Sequence, residues 1–305
     1  MNWQTWIRVL WGRTPAEVAK SALVIGLAVA LGIVAGYAER GTRSPRPRKW
    51  NVYSSEANDH IYTSRKLPPP APPLLIAHAA GSLGELRYSN SIEALETNYA
   101  RGFRFFELDF NWTSDGEIVL QHDWHAFNTL QRIRGPSMKE FLGRSRGSFT
   151  PTTLGMLYAW LERHHDAYVV TDTKVRGLEV LARIRMERPL LVPQFIPQIY
   201  LMEDYPLVRD QGYRYVILTL YRGLQDVHAE KLLAFSKTHP LFAITMPLER
   251  ARGSDLAMKL RRAGVPCYAH TINDRDLFRE LKVRGIHGVY TDTLDPRDFE
   301  TAPAQ

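Results

Sequence analysis

The stretch from Leu74 to His125 constrains the fold of this chain more than any other. It contains two short apolar runs, Leu74 to Ala77 and Phe103 to Phe110, with a segment of helical character between them. Each run ends in side chains that can bind a metal ion or transfer a proton. This order predicts a β-α-β unit whose chemistry lies at the ends of its strands.

The second run carries two carboxylates with a specific spacing. Glu107 and Asp109 are two residues apart, so in a strand both side chains project from the same face. Two like charges placed together normally require a cation between them, and oxygen ligands favour a hard divalent ion such as Mg or Ca. Pairing with the neighbouring Arg101 or Arg104 is the alternative interpretation.

Two histidines are predicted to meet these carboxylates. His78 follows the first apolar run directly. Asp115 and Gly116 are a hairpin turn signal, after which the run Ile118 to Leu120 leads to His122 and returns toward the same end. We therefore expect His78 and His122 to converge on the carboxylates, where they are candidate acid-base catalysts.

The rest of the chain alternates short apolar runs with amphipathic stretches, which predicts an α/β fold, the TIM (β/α)8 barrel. The segment from Trp124 to Thr150 has little apolar periodicity and is predicted to be a small insertion after the second strand, overhanging the mouth of the barrel. The eight predicted strands are Leu74 to Ala77, Phe103 to Asn111, Ala167 to Thr173, Gln194 to Tyr200, Tyr215 to Leu220, Leu241 to Met246, Cys267 to Thr271 and Gly288 to Thr291.

Three further polar residues fall at the ends of later strands. Asp172 and Lys174 repeat the two-residue spacing, so the carboxylate would complete the metal site and the ammonium group would meet a phosphate. A structural ion pair is the alternative for these two residues. His270 is a candidate substrate-binding residue, although a histidine near a strand end can also simply line the mouth.

Residues 1–40 predict an N-terminal membrane anchor. Ser21 to Ala38 are 18 consecutive positions without a charge, the length that a transmembrane helix needs. A cleaved signal peptide, with Gly36 and Ala38 as small residues at its cleavage site, is the alternative. Lys and Arg are slightly more numerous after this span than before it, which alone would favour a cytoplasmic catalytic side.

Residues 41–73 are rich in Arg and Pro and predict an extended linker before a catalytic domain at residues 74–300. The formal charge of +7 is concentrated in residues 1–50, where eight Lys or Arg and two acidic residues give +6. The other 31 basic and 30 acidic residues give +1, so the catalytic domain is not expected to bind nucleic acid. The single cysteine, Cys267, excludes an intrachain disulfide and a cysteine metal cluster.

Taken in order, the short motifs resemble those of the glycerophosphodiester phosphodiesterase family, within the phospholipase C-like phosphodiesterase superfamily. The resemblance extends from Pro73 to Pro296. The matching motifs are His78 with Gly81, Asn90-Ser91, Glu107-Leu108-Asp109, Asp115-Gly116, His122-Asp123, Thr171 to Lys174, His270 to Asn273 and Gly288 to Asp292.

This resemblance implies a phosphodiesterase that hydrolyses glycerophosphodiesters or related phospholipid headgroups through a cyclic phosphate. It implies one divalent cation, Mg or Ca, bound by Glu107, Asp109 and Asp172, with His78 and His122 as acid and base. Because many family members act on extracytoplasmic lipid headgroups, the resemblance also implies a periplasmic catalytic domain held at the membrane by the N-terminal helix.

Two positions depart from the family pattern. The first histidine of the family is usually followed by an arginine that contacts the phosphate, and here Ala79 follows it; the third metal ligand is commonly Glu, and here it is Asp172. Both departures also resemble the venom phospholipase D (sphingomyelinase D) relatives, which suggests activity on intact lipids. A noncatalytic barrel that binds phospholipid is a further alternative. Arg87 is a candidate to supply the missing positive charge at the substrate.

Overall fold

Eight parallel strands close into a barrel in the part of the chain that the computed structural model describes, residues 60–61, 70–125, 134–144, 149–173, 175–221 and 227–299. The strand order is β1-β9-β8-β7-β6-β5-β4-β2-β3, and pairing of β1 with β2 closes the ring. β3 is antiparallel to β2 and lies outside the ring. The strands are β1 Leu75–Ala77, β2 Phe105–Trp112, β3 Ile118–Leu120, β4 Tyr168–Thr173, β5 Phe195–Ile199, β6 Ile217–Thr219, β7 Ala243–Pro247, β8 Cys267–His270 and β9 Gly288–Thr291.

Helices follow most barrel strands, so the TIM barrel predicted from the sequence is confirmed, and each predicted strand coincides with a barrel strand. The α-helices are α1 Ile92–Ala100, α2 Met138–Leu142, α3 Leu154–Leu161, α4 Gly177–Glu187, α5 Asp204–Asp210, α6 Ala229–Thr238, α7 Leu248–Gly253, α8 Leu256–Arg262 and α9 Arg275–Val283. Short 3-10 helices lie at His78–Ala80, Pro189–Gln194 and Pro296–Asp298.

Side-chain caps determine where several helices begin. The Ser91 hydroxyl accepts a hydrogen bond from the Ala94 N–H at the start of α1, and the Asp274 carboxylate accepts one from the Leu277 N–H at the start of α9. Such caps satisfy backbone N–H groups that the first turn of a helix leaves unpaired. The Ser91 cap places α1 immediately after the loop that follows β1, next to the mouth of the barrel.

The strands separate two buried layers, because successive side chains alternate between the faces of a strand. In β2, Phe106 and Leu108 belong to the layer between the barrel and its helices. Phe105 belongs instead to a cluster inside the barrel, where its ring stacks on Tyr168 at 4.9 Å between centroids. Glu107 and Asp109 have the same inward direction as Phe105 but lie closer to the carboxyl ends of the strands.

The predicted insertion is described only in part, and it contains a helix, α2. The Ser137 hydroxyl and the Glu140 side chain form a capping box at its start. Phe141 is fully buried in a small cluster with Val119 of β3, so the insertion has an apolar contact that its weak periodicity did not reveal.

The predicted anchor at residues 1–40 lies outside the described residues, as does most of the predicted linker at residues 41–73. Within the described ranges, every helix is too short or too polar to cross a bilayer. The N-terminal anchor and its signal-peptide alternative therefore both stay predictions.

Candidate active site

A cavity of about 440 Å³ opens where the barrel strands end at their carboxyl termini. This is the end at which TIM barrels place their functional side chains. The cavity combines carboxylates, imidazoles and aromatic hydroxyls. It is lined by His78, Tyr88, Glu107, Asp109, His122, Asp172, Gln198, Tyr200, Thr219, Tyr221, His270, Thr271 and Tyr290.

Three carboxylates form a cluster at one side of this cavity. One oxygen each from Glu107, Asp109 and Asp172 lies within 4.8 Å of the others. The register explains the proximity, because Asp109 and Asp172 are directly paired between β2 and β4. Glu107 and Asp109 are 2% and 3% exposed, so water does not compensate their charges. Oxygen ligands at this spacing fit a hard divalent cation.

Arg101 and Arg104, the alternative partners considered for these carboxylates, each pair with another acid among the described residues. The Arg101 Nε lies 3.3 Å from the Asp295 carboxylate, and the Arg104 Nε lies 2.7 Å from the Asp166 carboxylate. Both guanidinium groups are therefore engaged by other acids.

Each carboxylate of the cluster has a hydrogen-bond donor that fixes its orientation. The Ala79 N–H donates to Glu107 Oε2 at 2.8 Å, and the Tyr200 hydroxyl donates to Asp172. Asn90 makes two bonds to Asp109: its amide donates to Oδ2 at 2.9 Å, and its carbonyl oxygen accepts from the Asp109 N–H at 2.9 Å. Burial and the neighbouring carboxylate of Asp109 raise the pKa of Glu107 well above its usual range.

His78 is held by a carboxylate on the last strand of the barrel. Its Nδ1 lies 2.8 Å from Asp292 Oδ1, and its Nε2 lies 4.0 Å from Glu107 Oε2. The Asn273 amide donates to the other oxygen of Asp292 at 2.7 Å. Burial lowers the pKa of His78, but the Asp292 hydrogen bond and the charges of the surrounding carboxylates outweigh it and raise that pKa to about 9.

His122 lies at the outer side of the cavity. Its Nδ1 is 2.8 Å from Asp123 Oδ2, and its side chain is 38% exposed. Tyr88 contacts both histidines in edge-to-face geometry. The centroid of its ring lies 4.7 Å from that of His78 and 5.6 Å from that of His122. The two imidazoles therefore line one cavity, and each is hydrogen-bonded to a different carboxylate.

Of the other predicted site residues, His270 lines the cavity, Arg87 does not, and Lys174 is not described. His270 lines the cavity, with Nδ1 3.4 Å from the Thr245 hydroxyl and its ring stacked on Tyr221. Arg87 is half exposed and does not line the cavity; its guanidinium lies 3.9 Å from Asp292. Lys174 lies outside the described residues, so its predicted contact with phosphate stays a prediction.

Several residues of the site were not assigned a role from the sequence. Asn90, Asn273 and Asp292 fall within motifs that carried the family resemblance, and that was the available signal for them. Tyr88, Tyr200 and Tyr221 follow no motif. Their contacts depend on which loops meet at the mouth of the closed barrel, which local sequence does not encode.

A TIM barrel with three clustered carboxylates and two carboxylate-paired histidines at its mouth has groups that can bind a cation and transfer protons. Residues 79–182 match the model of the glycerophosphoryl diester phosphodiesterase family. The resemblance seen in the sequence is thereby confirmed over these residues.

The solved structures that are similar to this chain include glycerophosphodiester phosphodiesterases and another phosphodiesterase. The glycerophosphodiester phosphodiesterase of Thermotoga maritima is 20% identical, with a TM-score of 0.58 over 73% of this chain and 96% of that chain. One from Parabacteroides distasonis is 17% identical, with a TM-score of 0.58 over 72% and 92%. An Oleispira antarctica phosphodiesterase, solved with the product sn-glycerol-3-phosphate, is 17% identical, with a TM-score of 0.54 over 76% and 95%. At these identities the likeness establishes the fold, and the family match adds support for a phosphoric diester hydrolase.

Proposed function

We propose that this protein is a metal-dependent glycerophosphodiester phosphodiesterase. The observation that carries the proposal is the cluster of Glu107, Asp109 and Asp172, whose oxygens lie within 4.8 Å of one another and face a cavity shared with two histidines. Three carboxylates in such a small and largely buried volume repel one another unless a cation is bound. The family match and the related solved structures support the substrate class.

Glu107, Asp109 and Asp172 would hold one divalent cation, Mg or Ca. When bound, such a cation supplies positive charge against a nonbridging phosphate oxygen and stabilises the charge that develops in the transition state. The donors from Ala79, Asn90 and Tyr200 preorganise the ligand oxygens, so little reorientation is needed on binding.

His78 and His122 would transfer the protons. One imidazole removes the proton from the attacking hydroxyl or water, and the other protonates the leaving oxygen. Asp292 and Asp123 each bind the Nδ1 side of one ring, which leaves Nε2 of both rings for the substrate. When the neighbouring hydroxyl of the substrate attacks, the product is a cyclic phosphate, which water then hydrolyses.

The test is incubation of the purified full-length protein with Mg or Ca and a panel of glycerophosphodiesters, with products identified by phosphorus NMR. The Asp172→Asn variant should lose turnover, because it removes a ligand charge while keeping the side-chain shape. Asp276→Asn changes an exposed acid, paired with Arg279 on α9, and should behave as the wild type. Equal turnover in Asp172→Asn and Asp276→Asn would refute the role of the cluster.

Activity of the phospholipase D kind on intact lipids is a second candidate. Ala79 favours it, because the position where the family has a phosphate-contacting arginine holds a buried methyl group, with the backbone in the left-handed region at φ 47°. Among the described residues, neither Lys nor Arg lines the cavity. Intact phospholipids added to the same NMR panel distinguish the two activities, because loss of the headgroup leaves the phosphate on a diacyl lipid in one case and on free glycerol in the other.

We further propose that residues 1–40 hold the catalytic domain at the membrane, with that domain on the periplasmic side. The uncharged stretch from Ser21 to Ala38 supports the anchor. Carbonate extraction should leave the full-length chain in the membrane pellet, whereas release of a shorter soluble form would establish a signal peptide instead. Protease added to intact spheroplasts should reach the catalytic domain.

A further inference from the structure

A second cavity, of about 350 Å³, lies at the opposite end of the barrel from the candidate active site. It is bordered by residues just before three neighbouring strands: Leu74 before β1, Val265 before β8 and Ile286 before β9. Arg261 in the last turn of α8 and Lys282 in the last turn of α9 also line it. The cavity therefore combines an apolar wall with two cationic groups.

Among the described residues, the two cations of this cavity have no ion-pair partner, unlike other cations of the same helices. Lys259 of α8 and Arg279 of α9 each pair with an aspartate four or three positions earlier in the chain. Arg261 Nη1 instead donates to the carbonyl oxygen of Lys282 at 3.4 Å. Both side chains are exposed, so two uncompensated positive charges lie at one place and attract an anion.

The helix dipole is the simpler explanation for a cation in the last turn of a helix. Lys237, in the last turn of α6, is such a cation, and it does not line this cavity. The dipole does not explain why cations from two helices share one cavity. It also does not explain why residues 256–273 and 281–291, which surround the cavity, contain neither Asp nor Glu. A bound anion explains both observations.

The chain enters the barrel beside this cavity. The Nε2–H of His287, which lines the cavity, donates to the carbonyl oxygen of Pro72 at 3.0 Å. The Tyr268 hydroxyl donates to the carbonyl oxygen of Pro73 at 2.5 Å. These contacts fix the end of the segment that leads from the proposed anchor into β1. The end of the barrel with the unpaired cations is thus also the end that the segment from the anchor reaches.

We propose that Arg261 and Lys282 bind the phosphate group of an anionic phospholipid, which holds this end of the barrel against the bilayer surface. The apolar wall of the cavity accommodates the carbon chain next to the phosphate. Val283, beside Lys282, is 79% exposed, and an exposed apolar side chain next to cations suits an anionic lipid surface. The mouth of the barrel, at the other end, then faces water. The inference goes beyond the proposed catalytic activity and does not depend on the metal.

Hydrogen-deuterium exchange of the full-length protein in vesicles tests this site. Vesicles of phosphatidylcholine are compared with vesicles of an equal mixture of phosphatidylcholine and phosphatidylglycerol, which is anionic. Backbone amides of residues 261–266 and 282–287 should exchange more slowly in the mixed vesicles by about 5-fold or more, the effect of a single cation near an anionic surface. High salt should abolish the difference, because it screens charges at the surface.

Three variants assign the effect to the two cations. The double variant Arg261→Gln, Lys282→Gln removes both charges and should lose the slower exchange. Lys237→Gln, the matched control, removes a charge from the last turn of another helix and should keep it. Arg261→Lys retains the charge and should keep most of it. Unchanged exchange of the barrel strands verifies that each variant is folded.

The outcomes separate this site from the anchor and from catalysis. Equal exchange in the two kinds of vesicle, or a difference that persists in the double variant, would overturn the site. Slower exchange at Tyr88 and Leu201, near the mouth, in place of the two segments would also overturn it. Flotation with phosphatidylcholine vesicles tests the anchor by itself. If the protein does not float with them, the anchor fails, and the mixed vesicles still test the site.

Discussion

His78 and Asp292 are joined by a hydrogen bond of 2.8 Å between Nδ1 and Oδ1, although 214 residues separate them in the chain. β1 and β9 are hydrogen-bonded neighbours, and closure of the barrel is what brings their ends together. The acidic partner of this partly buried histidine thus comes from the opposite end of the domain sequence.

Asp292→Asn should lower turnover by at least about tenfold, and by less than the His78→Ala loss of about 10²- to 10⁴-fold. The amide keeps the shape of the side chain but removes the charge that raises the pKa of His78. The limb of the pH-rate profile due to His78 should therefore move to lower pH. Asp298→Asn, an exposed acid near the same chain end, is the control and should leave the profile unchanged. If the pH-rate profile of Asp292→Asn is the same as that of the wild type, the hydrogen bond between Asp292 and His78 does not affect catalysis as predicted.

His78→Ala and His122→Ala should each reduce turnover by about 10²- to 10⁴-fold, because each removes one proton-transfer group. The double variant should lose far less than the product of the two losses, since the groups act in one relay. His125→Ala changes an exposed histidine three residues beyond His122 and serves as the matched control. Near wild-type turnover in His122→Ala would show that no such pair exists.

The stabilisation of the protein by Mg or Ca should be greater at pH 8 than at pH 5. Burial and Asp109 raise the pKa of Glu107 from 4.5 to about 8 in the metal-free protein. When the pKa of a carboxyl is higher in the folded protein than in the unfolded chain, the folded protein becomes less stable as the pH rises from the lower value to the higher one. A bound cation offsets this loss of stability, because it favours the ionised carboxylate. Thermal unfolding with and without metal at both pH values measures the effect.

Glu107→Gln provides the control for this pH dependence. The amide keeps the volume but does not ionise, so the metal-induced rise in unfolding temperature should become smaller and should vary less between the two pH values. The same pH dependence in Glu107→Gln as in the wild type would assign the effect to other groups.

Gly81→Ala should destabilise the protein more than Gly84→Ala, by about 1–3 kcal/mol. Both glycines have positive φ, 82° and 60°, so alanine is strained at either position. Only at Gly81 would the added Cβ approach Asn98, whose amide nitrogen would lie 2.6 Å away; at Gly84 no atom lies within 4 Å. That amide binds the carbonyl oxygens of Ala80 and Ser82 in the loop after His78. Chemical denaturation of the two variants gives the difference, and equal losses would contradict this reasoning.

Residue spacing was sufficient to predict the carboxylate half of the site. The alternation of strand side chains puts Glu107 and Asp109 on one face, and the repeated spacing predicts that Asp172 completes the site from another strand. The structure adds that Asp109 and Asp172 are paired in register. Such local periodicity is a property of single segments, which is why it could be read without a structure.

The hydrogen-bond partner of His78 and the full set of residues that line the cavity could not be predicted in the same way. The partner of His78 depends on closure of the ring, and so does the set of side chains that meet in the cavity. Arg87 is a separate case, because its role at the substrate stays a prediction. Its charge made it a candidate for the phosphate, but it lies beside Asp292 and does not line the cavity.

The apolar cluster inside the barrel also governs how molecules can enter and leave the cavity. Phe105, Tyr168, Ile196, Ile217 and their neighbours fill the barrel beneath the polar residues, so the cavity has a closed base on that side. Ions, substrate and products would therefore use the same mouth. In the proposed reaction, a product still bound in the cavity has to depart before the next substrate can enter, so a retained product acts as a competitive inhibitor.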